Sequence, residues 1–335
     1  MLIKIPDLDC MKALDFCVQL QSIEPLEGEK YYFDFDSVHN CDPFPMLIVS
    51  REIRKKREEL KRLECYAKNC DNSYAKYMKF YKACGIGLGD EVTVARGNHK
   101  YNCITKLSVE QLREEGLNSL DVIQEVIDKK AKSMARILSQ GDKDFEKGLA
   151  FIIREIIRNI PEHSESDAIW YCAQYWPVYD LVELAIMDEG IGIRKSISEN
   201  DCYCEQISND VDAIRLSLQP GVSGTFRGDS MPHIKSEWDN SGYGLYMVSQ
   251  LCAELDASFI IASGDSAIRV RKENGKVIQE VMKTCFHGTA IQIRMRPSRI
   301  KDYDAICKKI LEAGEMQAKQ SKGAIHVASK PSRGF

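Results

Sequence analysis

The chain has 335 residues, of which 29% are charged and 44% hydrophobic, and a formal net charge of −4. These are ordinary values for a soluble globular protein of about two domains, and the charge gives no reason to expect nucleic acid or an anionic membrane as a partner. No apolar run approaches the ~20 residues that span a bilayer, the opening MLIKIPDLDC is not a secretory signal, and thirteen scattered cysteines fit reduced thiols in the cytoplasm better than a disulfide scaffold.

Residues 1–105 read as a small α/β domain. The aromatic, alternating Lys30–Phe35 is a strand. Asp42 is placed to cap the helix that follows and Pro43 to open it. The basic run Arg51–Arg62 reads as a solvated face of that helix, with i,i+4 pairs Glu52–Lys56 and Glu58–Arg62. A second helix is expected over 72–83, stopped by Gly85, Gly87 and Gly89. Glycines that follow a helix are poorly placed as a phosphate loop. Residues 92–104 then read as a hairpin around Gly97-Asn98.

Residues 106–299 read as a second domain. It begins with one long charged helix over 106–140. The next helix, 143–160, carries Leu149, Ile152, Ile153, Ile156, Ile157 and Ile160 as a single apolar stripe. Strands follow over 168–176 and 181–187, the second so continuously apolar that it should be buried on both faces. Residues 194–241, rich in Gly, Ser, Asn and Asp, read as a mobile lid with one helix near 211–218. Cys202 and Cys204 lie two apart, but neither Cys172 nor His233 completes a zinc pattern. A helix over 243–254 leads to strands 258–263, 267–272, 276–282 and 289–295, with a tight turn at Asn274-Gly275. Residues 300–335 read as a charged helix with a disordered end, SKPSRGF.

Three pieces of this second domain carry chemistry. Glu155 and Asn159 are four apart on one helix, so both lie on one face. The carboxylate is a candidate base, and the amide oxygen a candidate Mg²⁺ ligand. Asp188 ends a strand and can accept a hydrogen bond from an amine on a purine edge. Gly190 and Gly192 beyond it let a flat ring approach the backbone. Gly242 and Gly244 open a helix whose exposed amides suit phosphate.

Together these pieces resemble the GHKL (Bergerat-fold) ATPase superfamily, which includes gyrase-type topoisomerases, histidine kinases and anti-sigma-factor kinases. REIIRNIPEHS (154–164) looks like its N box, DEGIGI (188–193) and NSGYGL (240–245) its glycine boxes, and HGTAIQI (287–293) its terminal Gly-Thr strand. The resemblance implies an α/β sandwich, a mixed sheet backed by helices, with ATP held under a lid. It implies Asn159 for Mg²⁺, Glu155 as base, Asp188 for the adenine amine, Thr289 near the base, and Gly242 and Gly244 at the phosphates. His163 matches the end of the anti-sigma kinases' N box and reads as a packing or hydrogen-bonding group. Arg227, in the lid, is a candidate for the γ-phosphate. The first domain, through FDFDSVHNCDPFPMLIV, is similar to STAS-like modules, although Asn40, Cys41 and Asp42 stand where a phosphorylated member has serine.

The reading is therefore a cytoplasmic Mg·ATP-binding regulator. It hydrolyses ATP or transfers phosphate to a partner protein engaged through the N-terminal domain, and it is compatible with a homodimer. The alternative is a non-catalytic, ATP-dependent interaction switch. No histidine lies in residues 118–138, which argues against an autophosphorylating histidine kinase. The acidic balance and the short chain after Thr289 argue against a DNA-linked ATPase.

Overall fold

The computed structural model describes residues 1–60, 64–88, 97–98, 100–119, 121–224, 241–299, 302–321 and 323–329. The first unit alternates strand and helix: β1 (Leu2–Lys4), α1 (Cys10–Gln21), β2 (Tyr31–Asp34), α2 (Pro43–Glu59) and β3 (Cys65–Lys68), followed by the short α3 (Ser73–Tyr77) and α4 (Phe80–Ala83). Its three strands pair in parallel in the order β1-β2-β3. The helix expected over 72–83 breaks in two at Lys79, whose φ of 64° is left-handed.

The second sheet contains β4 (Gly97–Asn98), β5 (Tyr101–Ser108), β6 (Ala168–Trp176), β7 (Leu181–Asp188), β8 (Ser258–Glu273) and β9 (Lys276–Met295), in the order β4-β5-β6-β7-β9-β8. β5 runs across position 105, where the sequence suggests a boundary. Every pairing among these described strands is antiparallel, so the expected mixed sheet does not occur. The reason is topological. β7 and β8 run in the same direction, but β9 turns back at Asn274-Gly275 (φ 49° and 77°) and slots between them. The four short strands expected over 258–295 thus merge into two long ones, with irregular register around Gly264.

Helices α5 (Val109–Ser119), α6 (Ile123–Ser139) and α7 (Lys143–Asn159) connect β5 to β6, and α8 (Gly192–Ser198), α9 (Asp210–Ser217) and α10 (Gly244–Glu254) connect β7 to β8. The single helix expected over 106–140 is two: the Ser119 hydroxyl bonds back to the Glu115 carbonyl at 2.8 Å, and the Asp121 amide closes on Gly116. α11 (Tyr303–Ala318) lies on α10. The disordered end expected over 329–335 lies, apart from Ser329, outside the described residues. Just before it, the Ile325 amide donates to the Gly221 carbonyl at 2.8 Å and the Tyr203 hydroxyl to the Gly323 carbonyl at 2.7 Å. Among the described residues no helix is long and apolar enough to cross a membrane.

Both faces of the large sheet are covered. Ile169, Tyr171, Leu184, Ile186, Ile291 and Ile293 face one hydrophobic core with the stripe of α7. Their neighbours Trp170, Cys172, Ala185, Met187 and Ala290 face another, built with α1 and α2 of the first unit. β7 is thus the two-sided strand that its apolar run predicts.

Packing α2 onto that face corrects the reading of its charges. Arg51, Glu52 and Lys56 are buried. Lys56 pairs with Glu59 at 2.8 Å and donates to the Ile23 carbonyl at 3.1 Å, while Arg51 takes Glu52 at 2.5 Å. Asp42 makes no side-chain capping bond and ion-pairs with Arg294 at 3.3 Å. The helix is capped from across the interface, where the Phe44 amide donates to Glu183 of β7 at 3.0 Å.

Glu183 is fully buried, accepts from Gln292 at 2.9 Å and lies 3.2 Å from Arg294. Burial, then the nearby Asp42 carboxylate, push its carboxyl up from 4.5 to about 7. A carboxyl whose pKa is higher in the folded state binds its proton more tightly there. Its contribution to stability is full below 4.5 and is lost as pH rises through about 7. Glu183→Gln, which keeps an acceptor for Phe44, is expected to reduce the fall of Tm across this window. Asp188, likewise raised to about 7, and Asp42 and Glu52, whose carboxyls burial also raises, leave a residual slope. Thermal unfolding at a series of pH values checks this, and equal slopes for the two proteins would contradict it.

Candidate functional site

Three segments distant in sequence meet at one cavity of ≈ 100 Å³. α7 brings Ile156 and Asn159 to it, β7 brings Ile186 and Asp188, and the start of α10 brings Gly242 and Gly244. Gly192 and Thr289 also line it. Six of the eight residues singled out from sequence therefore share its wall; Glu155 and Gly190 do not.

Asp188 lies at the end of β7, directly paired in register with Thr289 of β9. It is 3% exposed. Its Oδ1 accepts from the Gly190 amide at 2.8 Å, and the Thr289 amide and hydroxyl also donate to the carboxylate. A carboxylate offers about four acceptor positions, so three donors leave capacity for one more. Burial raises the carboxyl to about 7 against the lowering effect of these hydrogen bonds.

Asn159 stands where α7 gives way to a wider π-helical turn, Ile160–Ser164. Pro161 has no amide to donate, which breaks the α pattern there. The Ser164 hydroxyl bonds to the Ile160 carbonyl at 2.8 Å within the turn. His163 also lines the cavity. Burial, then the neighbouring Arg158, lower its pKa to about 4, so it is neutral at physiological pH.

Glu155, one turn earlier, is 3% exposed and held by its neighbour Arg154 through bonds of 3.0 and 3.1 Å. Its Oε2 lies 2.8 Å from where a Cβ on Gly244 would stand, against the first turn of α10. The carboxylate is thus at the helix start but not on the cavity wall.

Gly190 has a different task from the one expected. A Cβ there would stand 1.8 Å from the Ser164 carbonyl oxygen, which accepts from the Ile191 amide at 2.8 Å. The glycine lets the loop after β7 lie directly on the end of the α7 segment. Gly242 adopts φ +68° and packs on the backbone of Val222.

Sequence reasoning missed Ser263. Its hydroxyl accepts from the Ile193 amide at 3.0 Å and donates to the Gly288 carbonyl at 2.8 Å, tying α8 to β9. No local signal marks it, because its partners are 70 and 25 residues away. Ile291 was findable, since it lies two residues beyond Thr289 on the same face of one strand.

Residues 194–224, the first part of the expected lid, are built into the domain. Ile197, Ala213 and Ile214 are buried in its core, and Asp210 accepts from the Asp265 amide at 2.9 Å. Residues 225–240, including Arg227, lie outside the described residues.

Gly190→Ala is expected to cost more than about 2 kcal/mol, because backbone must move to relieve the overlap. Gly87→Ala, with nothing within 4 Å of its added Cβ, should stay within about 0.5 kcal/mol of the parent. Chemical denaturation of both variants makes the comparison, and equal losses would remove the role given to Gly190.

No protein-family model matches this chain, and no curated protein is similar enough to match it.

Proposed function

We propose that the cavity binds the adenine of Mg·ATP and that the antiparallel sheet with α7 and α10 forms a Bergerat-type nucleotide domain, joined to a STAS-like N-terminal unit. The observation that carries this reading is the convergence of Asn159, Asp188, Gly242, Gly244 and Thr289 on one cavity. Apolar faces from Ile156, Ile186, Ile193 and Ile291 suit a flat ring. Asp188 receives the ring's amine with its remaining acceptor capacity. The phosphates lie toward the N-terminus of α10, where the amides of a helix's first turn and the helix dipole favour anions.

Asn159 fits a Mg²⁺ ligand in chemistry: Mg²⁺ takes one or two protein oxygens and completes its shell with water and phosphate. The ion would neutralise phosphate charge there.

Two readings of the outcome remain distinct. In the first, Glu155 takes the proton from water or from a partner's hydroxyl, and ATP is hydrolysed or its phosphate transferred. In the second, ATP binding alone switches a protein contact. The ion pair of Glu155 with Arg154, away from the cavity wall, favours the second in the state seen here.

Asp188→Asn replaces an acceptor with a donor facing the amine. A hydrogen bond to a charged group contributes roughly 1.5–3 kcal/mol, so ATP affinity should fall about 10- to 100-fold. Wild-type affinity should itself weaken as pH falls through about 7, where Asp188 takes up its proton, and the variant should lose that dependence. Calorimetry with ATP and GTP decides the matter: equal affinities for the two would refute adenine recognition.

In the first reading, Glu155→Ala keeps Mg·ATP affinity near normal and lowers single-turnover ADP formation by about 10²–10⁴-fold. Asn159→Ala should weaken Mg²⁺-dependent binding itself. Unchanged turnover in Glu155→Ala would exclude it as base, and a wild type that forms no ADP would leave the switch reading.

A further inference from the structure

Between α2, α4 and the large sheet lies a second recess of ≈ 510 Å³, distinct from the nucleotide cavity. Arg51, Arg54, Lys55, Lys82 and Lys106 line it together with Trp170, against the carboxylates of Glu58 and Glu189. The chain as a whole carries −4, so this positive excess is local.

Three of these cations, Arg51, Arg54 and Lys106, are held by the protein itself. Arg54 donates to the Ala83 carbonyl at 3.2 Å and lies 4.3 Å from the Trp170 ring centroid, with the Lys106 ammonium at 5.5 Å from the same ring. Arg51 is 5% exposed, and its Nε makes no hydrogen bond. Glu189 approaches that Nε to 3.4 Å and is bonded by Arg54. A buried guanidinium N–H lacking a hydrogen bond has an unfilled demand for an acceptor. Cations already occupy the space over Trp170, so a ligand is recognised by charge instead of by ring stacking. A localised basic recess suits a compact polyanion, whereas a nucleic-acid backbone needs an extended basic stripe.

We propose that this recess binds a small anion of the di- or triphosphate class, which takes Arg51 and Arg54 over from Glu189. Guanidinium forks match phosphate oxygens in geometry as well as charge. Glu189 directly follows Asp188 in the chain, so releasing it reaches the loop that ends at Gly190. The anion site itself does not depend on what the other cavity binds. Free pyrophosphate and the phosphates of a nucleotide are two sources of the same chemistry.

The test is calorimetric titration of the full chain with pyrophosphate in the absence of Mg²⁺, on wild type, Lys55→Gln/Lys106→Gln and Glu189→Gln. A parallel arm titrates ATP into Asp188→Asn, with and without the two lysine substitutions. Thermal unfolding establishes that each variant is folded. Saturable pyrophosphate binding is expected, weakened roughly tenfold or more in Lys55→Gln/Lys106→Gln and tightened in Glu189→Gln, where a competing charge is gone. Lysine-dependent binding of ATP as well would name nucleotide phosphates as a source, and its absence beside pyrophosphate binding would name the free anion. No saturable binding of either probe, or an affinity untouched by the lysine substitutions, would overturn the site. Unchanged or weaker binding in Glu189→Gln would overturn the exchange with Glu189.

Discussion

The register of β7 against β9 is the constraint on which the rest of the molecule depends. It sets Asp188 opposite Thr289 and Ile186 opposite Ile291, which puts the polar and apolar parts of the cavity floor side by side. The same register turns Glu183, Ala185 and Met187 to the other face, under the N-terminal unit. A slip of one residue would exchange the two sets. It would bury Asp188 against α2 and present Glu183 to the α7 layer. Both faces are packed, so neither exchange is tolerated, and the strand is held in one position by two cores at once.

That double burial also explains the unusual charge inventory of the interface. α2 contributes Arg51, Glu52 and Lys56, all out of solvent, and β7 contributes Glu183. Buried charges are costly unless paired and hydrogen-bonded. Here each has a named partner: Glu52 for Arg51, Glu59 for Lys56, and Phe44, Gln292 and Arg294 for Glu183. Such pairing contributes little net stability, but mispairing would be expensive, so it favours a single docking position for α2. The N-terminal unit and the sheet are thereby joined through specific polar contacts as well as apolar area.

The cavity is assembled by close backbone approach more than by side-chain reach. The loop after β7 rests on Ser164, and the chain entering α10 rests on Val222. Gly221 links this second contact to the C-terminal segment, since its amide donates to the Gly242 carbonyl at 3.2 Å and its carbonyl accepts from Ile325. The chain entering α10, the segment around Gly221 and the tail after α11 are therefore one hydrogen-bonded unit. Changes at the tail can reach the helix that the nucleotide reading assigns to phosphate.

Several local elements and a shortlist of candidate site residues are legible in the amino-acid order alone. The stripe of α7, the unbroken apolar run of β7 and the Asn274-Gly275 turn each follow from periodicity or backbone preference, and six of the eight residues singled out do line one cavity. The remaining outcomes were fixed by packing between distant segments. Whether Arg51–Lys56 meets water or protein depends on the face of a sheet more than a hundred residues away in the chain, so i,i+4 spacing misassigned its partners. Whether Gly190 serves a ligand or Ser164, and whether Glu155 faces the cavity or Arg154, depends on side-chain and backbone approaches within a few ångströms. Local propensity describes one segment at a time, whereas these outcomes belong to pairs of segments brought together only when both faces of the sheet are buried.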